Sequence, residues 1–122
     1  MTTVRILLAP TNVMSAVYFP PESMSQFDVV KGNLSRYLLL PPVDLGTDLV
    51  GNPFVGVGAA EETFALTNNP SRQTERMEKY GNGRSLSVGD VVEVDGEQYA
   101  CLSVGWAKLS DGSSVYGTER EY

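Results

Sequence analysis

Three stretches of this sequence predict an α+β fold, with a small, mostly antiparallel sheet, two or three short helices and a C-terminal β-hairpin. The first is Gly83 to Leu109, where β-branched Val88, Val91, Val92 and Val94 precede the Asp95-Gly96 turn signal. On the return, Tyr99, Cys101, Ser103 and Gly105 alternate with Gln98, Ala100, Leu102 and Val104, a period of two, and Trp106 closes the strand. Leu109 adds a further apolar anchor. The second stretch is Val4 to Leu8, a compact apolar run ended by Ala9-Pro10, which reads as the first strand. The third is Ala59 to Leu66, the clearest short helix. Glu61 and Glu62 in its first turn suit the helix dipole, and Asn68-Asn69-Pro70 stops it.

The remaining elements follow in order. Thr11-Asn12 marks a turn or a helix start, and Ala16 to Phe19 reads as strand-like, halted by Pro20-Pro21. Ser23 can cap a short helix with Met24, Phe27 and Val30 on one face, ended by Gly32-Asn33. A hairpin through Lys31-Gly32-Asn33 competes, because Phe27 to Val30 also suits a strand. Leu34 to Leu40 reads as a strand bounded by Pro41-Pro42. Asp44 to Gly58 is glycine-rich and holds Pro53, so it reads as a long loop of the kind that binds or moves. Apolar Phe54, Val55 and Val57 suggest that part of it packs back on the core. Ser71 to Tyr80 reads as a helix with a charged outer face, Met77 and Tyr80 turned inward, and Gly81-Asn82-Gly83 as its end. Val115 and Tyr116 can form a last edge strand after Asp111-Gly112, with fraying expected beyond Gly117.

One domain accounts for all 122 residues, long enough for a modest core. The apolar runs are too short to span a bilayer, and the N-terminal residues lack the apolar core of a signal peptide; a cytoplasmic protein without membrane contact is expected. Cys101 is the only cysteine and histidine is absent, so no disulfide framework and no metal or cofactor site is expected. The net charge of −6 argues against direct nucleic-acid binding, whose affinity comes from phosphate contacts. Acidity suits either simple solubility or a protein that occupies a nucleic-acid channel in another protein.

The run Gly83-Arg84-Ser85-Leu86-Ser87-Val88-Gly89-Asp90-Val91-Val92, followed by Tyr99 and by Ser103-Val104-Gly105-Trp106, resembles the YodL-like module. That module is found in small proteins and in larger antirestriction-associated proteins of plasmids, phages and integrative elements. The correspondence covers about residues 34–109, taking in the strand near Tyr37 to Leu40, the helix near Glu61 to Leu66, and Asn69-Pro70. This chain departs from the pattern by the insertion-like Gly46 to Gly58 segment and by extra residues between Pro70 and Gly83, where a binding specificity can be added. The resemblance implies a mobile-element setting and no established chemistry, so no catalytic residue carries over.

Among the residues that bear chemistry, Arg84-Ser85-Leu86-Ser87 can form an anion- or partner-binding loop. Alternatively, Ser85 and Ser87 bond local backbone, and Asp90 fixes a turn or pairs with Arg84 at the hairpin entry. Cys101 lacks any histidine to activate it and reads as a small buried hydrophobe. Trp106 reads as a core plug or a lip residue. Gly56-Val57-Gly58 has the wrong glycine spacing for a phosphate-binding loop, and acidic residues follow it. Glu93, Asp95 and Glu97 alternate around the hairpin turn, which places an acidic edge there, with Glu61 and Glu62 as a second acidic group.

The resemblance, together with the chain's small size and acidity, implies a non-enzymatic binding protein of a mobile element that antagonises a host defence complex, in the manner of an anti-CRISPR or antirestriction protein. Its partner would be a host defence or nucleic-acid-handling complex. The alternative is an accessory or regulatory interaction module of plasmid or phage maintenance. Two modes of contact are open: acidic mimicry through the five carboxylates, or an apolar grip through Leu49, Phe54 and Val55.

Overall fold

The computed structural model describes residues 2–81 and 84–119. Among these, four α-helices and two 3-10 turns pack on a seven-stranded sheet of antiparallel pairs, as the α+β expectation required. Strand β1 (Thr3–Leu8) and strand β4 (Val91–Val94) pair along Val4↔Val94 to Leu7↔Val91. From β4 the sheet continues through β5 (Glu97–Cys101) and β6 (Val104–Lys108) to β7 (Ser114–Glu119) at one edge. On the other side of β1 lie two short strands, β2 (Leu38–Leu39) and β3 (Val43–Asp44). They are one edge strand interrupted at Pro41-Pro42, where proline cannot donate to the ladder.

The hairpin expected at Asp95-Gly96 forms between β4 and β5. Asp95 at φ 48° and Gly96 at φ 92° are both left-handed, the geometry whose twist matches the flanking strands. The return strand is shorter than the alternation suggested. It ends at Cys101, the chain turns through Leu102 and Ser103, and Trp106 lies opposite Cys101 on a third strand. Period-two alternation runs unbroken through a tight turn, so it did not mark this one. The last edge strand also outruns its expected end, reaching Glu119.

Successive residues of a strand face opposite sides, and this divides the core in two. Val4, Ile6, Val92, Val94, Tyr99, Cys101 and Trp106 pack on one side, with helix α3 (Gly56–Asn68) supplying Ala59, Ala60 and Phe64. Leu7, Val91 and Ala100 pack on the other side with Val13 and Val17 of α1 (Thr11–Tyr18) and Val29 and Val30 of α2 (Gln26–Asn33). Burying each such Val or Leu contributes about 1.5–3 kcal/mol. Cys101 is buried, as read, and Trp106 is a core plug whose ring meets Phe64 edge-on at 6.5 Å. Its indole N–H donates to Glu61.

The N-terminal third departs most from expectation. Residues 11–18 form a helix, so Thr11-Asn12 is the helix start and not the turn of the two readings, and the strand read from Ala16 is replaced because Val13 and Val17, four apart, cover the sheet together. Ser25, and not Ser23, caps α2. Its hydroxyl accepts from the Asp28 N–H while Asp28 returns the bond to the Ser25 N–H. Met24 is therefore outside the helix and exposed, and Gly32-Asn33 lie within it. Leu34 to Arg36 is a 3-10 turn, which shortens the strand expected there.

Helix α3 begins at Gly56, three residues early, so Glu61 and Glu62 lie beyond its first turn and the dipole argument for them falls. Pro70 to Arg72 forms a 3-10 turn capped by Asn69, and α4 (Gln73–Tyr80) follows, ending at Gly81 with φ 69°. Met77 is exposed and only Tyr80 turns inward. Asn82 and Gly83, read as part of that helix end and as the start of the hairpin stretch, lie outside the described residues, as do residues 120–122 of the expected frayed tail. No described helix is long and apolar enough to cross a membrane.

Candidate partner-binding surface

Arg84, partly exposed, closes over the buried carboxylate of Asp90 at the hairpin entry. The Asp90 carboxylate has no solvent exposure and takes four donors: Arg84 Nη1 at 2.6 Å, Arg84 Nη2 at 2.7 Å, and the N–H groups of Ala9 and Ser87, both at 2.8 Å. Arg84 also donates to the carbonyls of Ala9 and Ser85, each at 3.0 Å. Asp90 raises the pKa of the guanidinium further above its ordinary value. Gly89, at φ 99°, sits against Val17 and presents its carbonyl to the Tyr37 hydroxyl; burial pushes that phenol well above its usual range. The arginine thus ties β1, the Ser85–Ser87 segment and β4 together. Its guanidinium is thereby engaged with Asp90, the ion-pair reading of this run.

The hairpin carboxylates do not share an edge. Glu93 lies opposite Gln98 and Glu97 opposite Val94, and adjacent cross-strand pairs face opposite sides of a ribbon. A two-residue turn imposes this register, which spacing alone concealed. Each of the five carboxylates also has an internal donor. Glu93 accepts from Gln98 Nε2 at 3.4 Å, Asp95 from the Thr3 N–H at 3.1 Å, and Glu97 from the Ser110 hydroxyl at 3.1 Å. Glu61 accepts from Trp106, and Glu62 takes a two-pronged bond from Arg72 at 2.9 and 2.6 Å.

The segment between β3 and α3 is ordered by its own backbone. Asp48 and Asn52 are joined by an N–H to carbonyl bond of 2.8 Å, and Thr47 bridges to Pro53. Asp48 Oδ1 accepts the N–H groups of Val50 and Asn52, both at 2.9 Å, while Gly46 and Gly51 take positive φ. At the apex Leu49 is fully exposed (107%) and Val50 nearly so (84%), with Val55 at 66% beside the helix start. Phe54 turns the other way and packs against the core; Thr2 donates to its carbonyl. Of the apolar residues named from sequence, Leu49 and Val55 form the outer surface and Phe54 anchors it. Val50 was missed, although Asp48-Leu49-Val50-Gly51-Asn52 carries the signal: an aspartate-led turn with two apolar residues at its tip.

Beside the tip lies a cleft of about 530 Å³. Leu45, Leu49 and Phe54 give it apolar walls, and Asp48, Glu62 and Glu75 bring three carboxylates. Its single guanidinium, Arg72, is held by Glu62 and by Glu75 Oε1, the latter at 3.0 Å from Nη2. The bond to Glu62 is the main reason the Arg72 pKa rises above its usual range. None of the described Cys, Asp and Glu side chains cluster as a metal site would need. No protein-family model, no curated protein and no solved structure matches this chain.

Proposed function

We propose that this protein is a non-enzymatic binding protein that grips its partner through the apolar tip formed by Leu49, Val50 and Val55. One observation carries the reading. A turn closed by its own hydrogen bonds holds two large apolar side chains almost wholly in water, where neither serves the core. Ordering the turn in advance lowers the entropy lost on binding. Acidic mimicry is less well supported, because all five carboxylates are already engaged within the chain. The biological setting rests on the resemblance to the YodL-like module: a mobile element, with a host defence or nucleic-acid-handling complex as the target, in the manner of an anti-CRISPR or antirestriction protein.

Capture from host lysate, with mass spectrometry of what is recovered, tests this. The parent, Leu49→Asp with Val50→Asp, and a lysine triple at Glu93, Asp95 and Glu97 are compared at low and high salt. Capture should be lost in the aspartate double, persist in the lysine triple and change little with salt. Loss confined to the lysine triple, with strong salt weakening, would restore mimicry and remove the tip.

A further inference from the structure

The start of α3 carries backbone donors that the fold does not use. Val55 precedes the helix without a side-chain cap, and the first turn holds no acidic residue. The first N–H to reach a carbonyl is that of Ala59, which bonds Val55 at 3.3 Å. Those of Gly56, Val57 and Gly58 meet no acceptor among the described residues. Gly56 takes φ 52°, left-handed, just ahead of the helical turn, a backbone order in which successive N–H groups form a concave anion nest.

A buried side chain points to the same place. Tyr99 is only 5% exposed, yet its hydroxyl bonds no described residue. It lies against the helix start, where a methyl group on the Gly56 Cα would sit 3.5 Å from it. A hydroxyl on so buried a ring ordinarily has a partner. Lys108 stands directly opposite Tyr99 on β6 and so shares its face of the sheet; its ammonium forms no ion pair among the described residues. The neighbouring carboxylates are turned elsewhere: Glu61 to Trp106, Glu97 to Ser110 and Asp111 to Ser113.

We infer that the start of α3 is a binding site for a single carboxylate. The nest N–H groups and the Tyr99 O–H would donate to its oxygens, and Lys108 would supply the counter-charge from the rim. A phosphate dianion fits less well, because Lys108 balances one charge and the chain already stands at −6. The carboxylate can come from an acidic side chain of the partner, delivered beside Val55, or from a small free acid.

The test is a titration of the ¹⁵N-labelled chain with sodium acetate, using acetamide as the neutral control and sodium phosphate as the dianion. Acetate should move the amide protons of Gly56, Val57 and Gly58 downfield to saturation, and acetamide should leave them in place. Tyr99→Phe should melt as the parent does, since the hydroxyl bonds nothing in the chain, but should weaken acetate about tenfold. Lys108→Gln, which spares the core, should weaken it by up to about fivefold. Equal shifts with acetamide, none with acetate, tighter binding of phosphate, or unchanged acetate affinity in both variants would overturn the site. Lysate capture then identifies the source. Capture weakened in Tyr99→Phe assigns the carboxylate to the partner; capture unchanged while acetate binding is lost assigns it to a free acid. The site does not rest on the apolar tip: acetate should still bind the Leu49→Asp, Val50→Asp double, whether or not that double loses capture.

Discussion

Without Arg84, the Asp90 carboxylate would keep two backbone donors in a fully buried position and lose its counter-charge. Breaking a fully buried pair by removing one partner costs about 3–5 kcal/mol, and the cost here is smaller because about a third of the Arg84 side chain (35%) reaches water while Asp90 does not. Arg84→Ala should therefore lower the urea midpoint. Arg84→Lys should recover only part of the loss, since one ammonium cannot meet both Asp90 oxygens and the Ala9 carbonyl together. A loss below 1 kcal/mol in Arg84→Ala would mean that Asp90 reaches water or another donor. Sequence named this pair as one of two readings of the Arg84–Ser87 run. What it could not give was burial, and burial decides whether such a pair matters.

At the scale of elements, the turn from Asp48 to Asn52 is the feature that the proposed function most needs. Asp48→Ala removes the acceptor of two N–H groups at a surface position, a change of about 1 kcal/mol that falls on the loop alone. Amide exchange at Val50 and Asn52 should quicken and partner capture weaken, while the melting temperature stays close to the parent's. A large drop in melting temperature would mean that the loop supports the core. The same element shows where sequence reading stopped. Glycine and proline marked Asp44 to Gly58 as a loop, but not which apolar residue turns in and which turns out. Phe54 and Leu49 look alike in sequence, and only the position of the Asp48 turn separates them. The hairpin was legible because its turn is local, formed by two adjacent residues. Helix α1 was not legible, because Val13 and Val17 are β-branched and their helical state is set by the sheet they cover.

For the molecule as a whole, the two helical layers stand on opposite faces of one sheet, and each holds a half-buried tyrosine whose ionisation is shifted. Tyr80 packs with the α3 side and Tyr37 with the α1–α2 side. Burial pushes the Tyr80 phenol up to about 12 from 10.0, opposed in part by the Thr63 hydroxyl beside it. Burial, followed by the Asp90 charge, raises Tyr37 as well. Both folded values exceed the unfolded one, so the folded chain keeps protons that the unfolded chain has released. The stability these groups contribute is complete below pH 10 and is lost as pH rises, through about 12 for Tyr80 and beyond that for Tyr37. Urea midpoints across that window should fall with pH, and the slope should be shallower in Tyr80→Phe and shallower again with Tyr37→Phe added. If the sheet couples the two layers, tyrosinate absorbance from both residues will rise in one step with unfolding. Two separated steps, with Tyr37 ionising while the α3 side stays intact, would show that the faces of the sheet open independently.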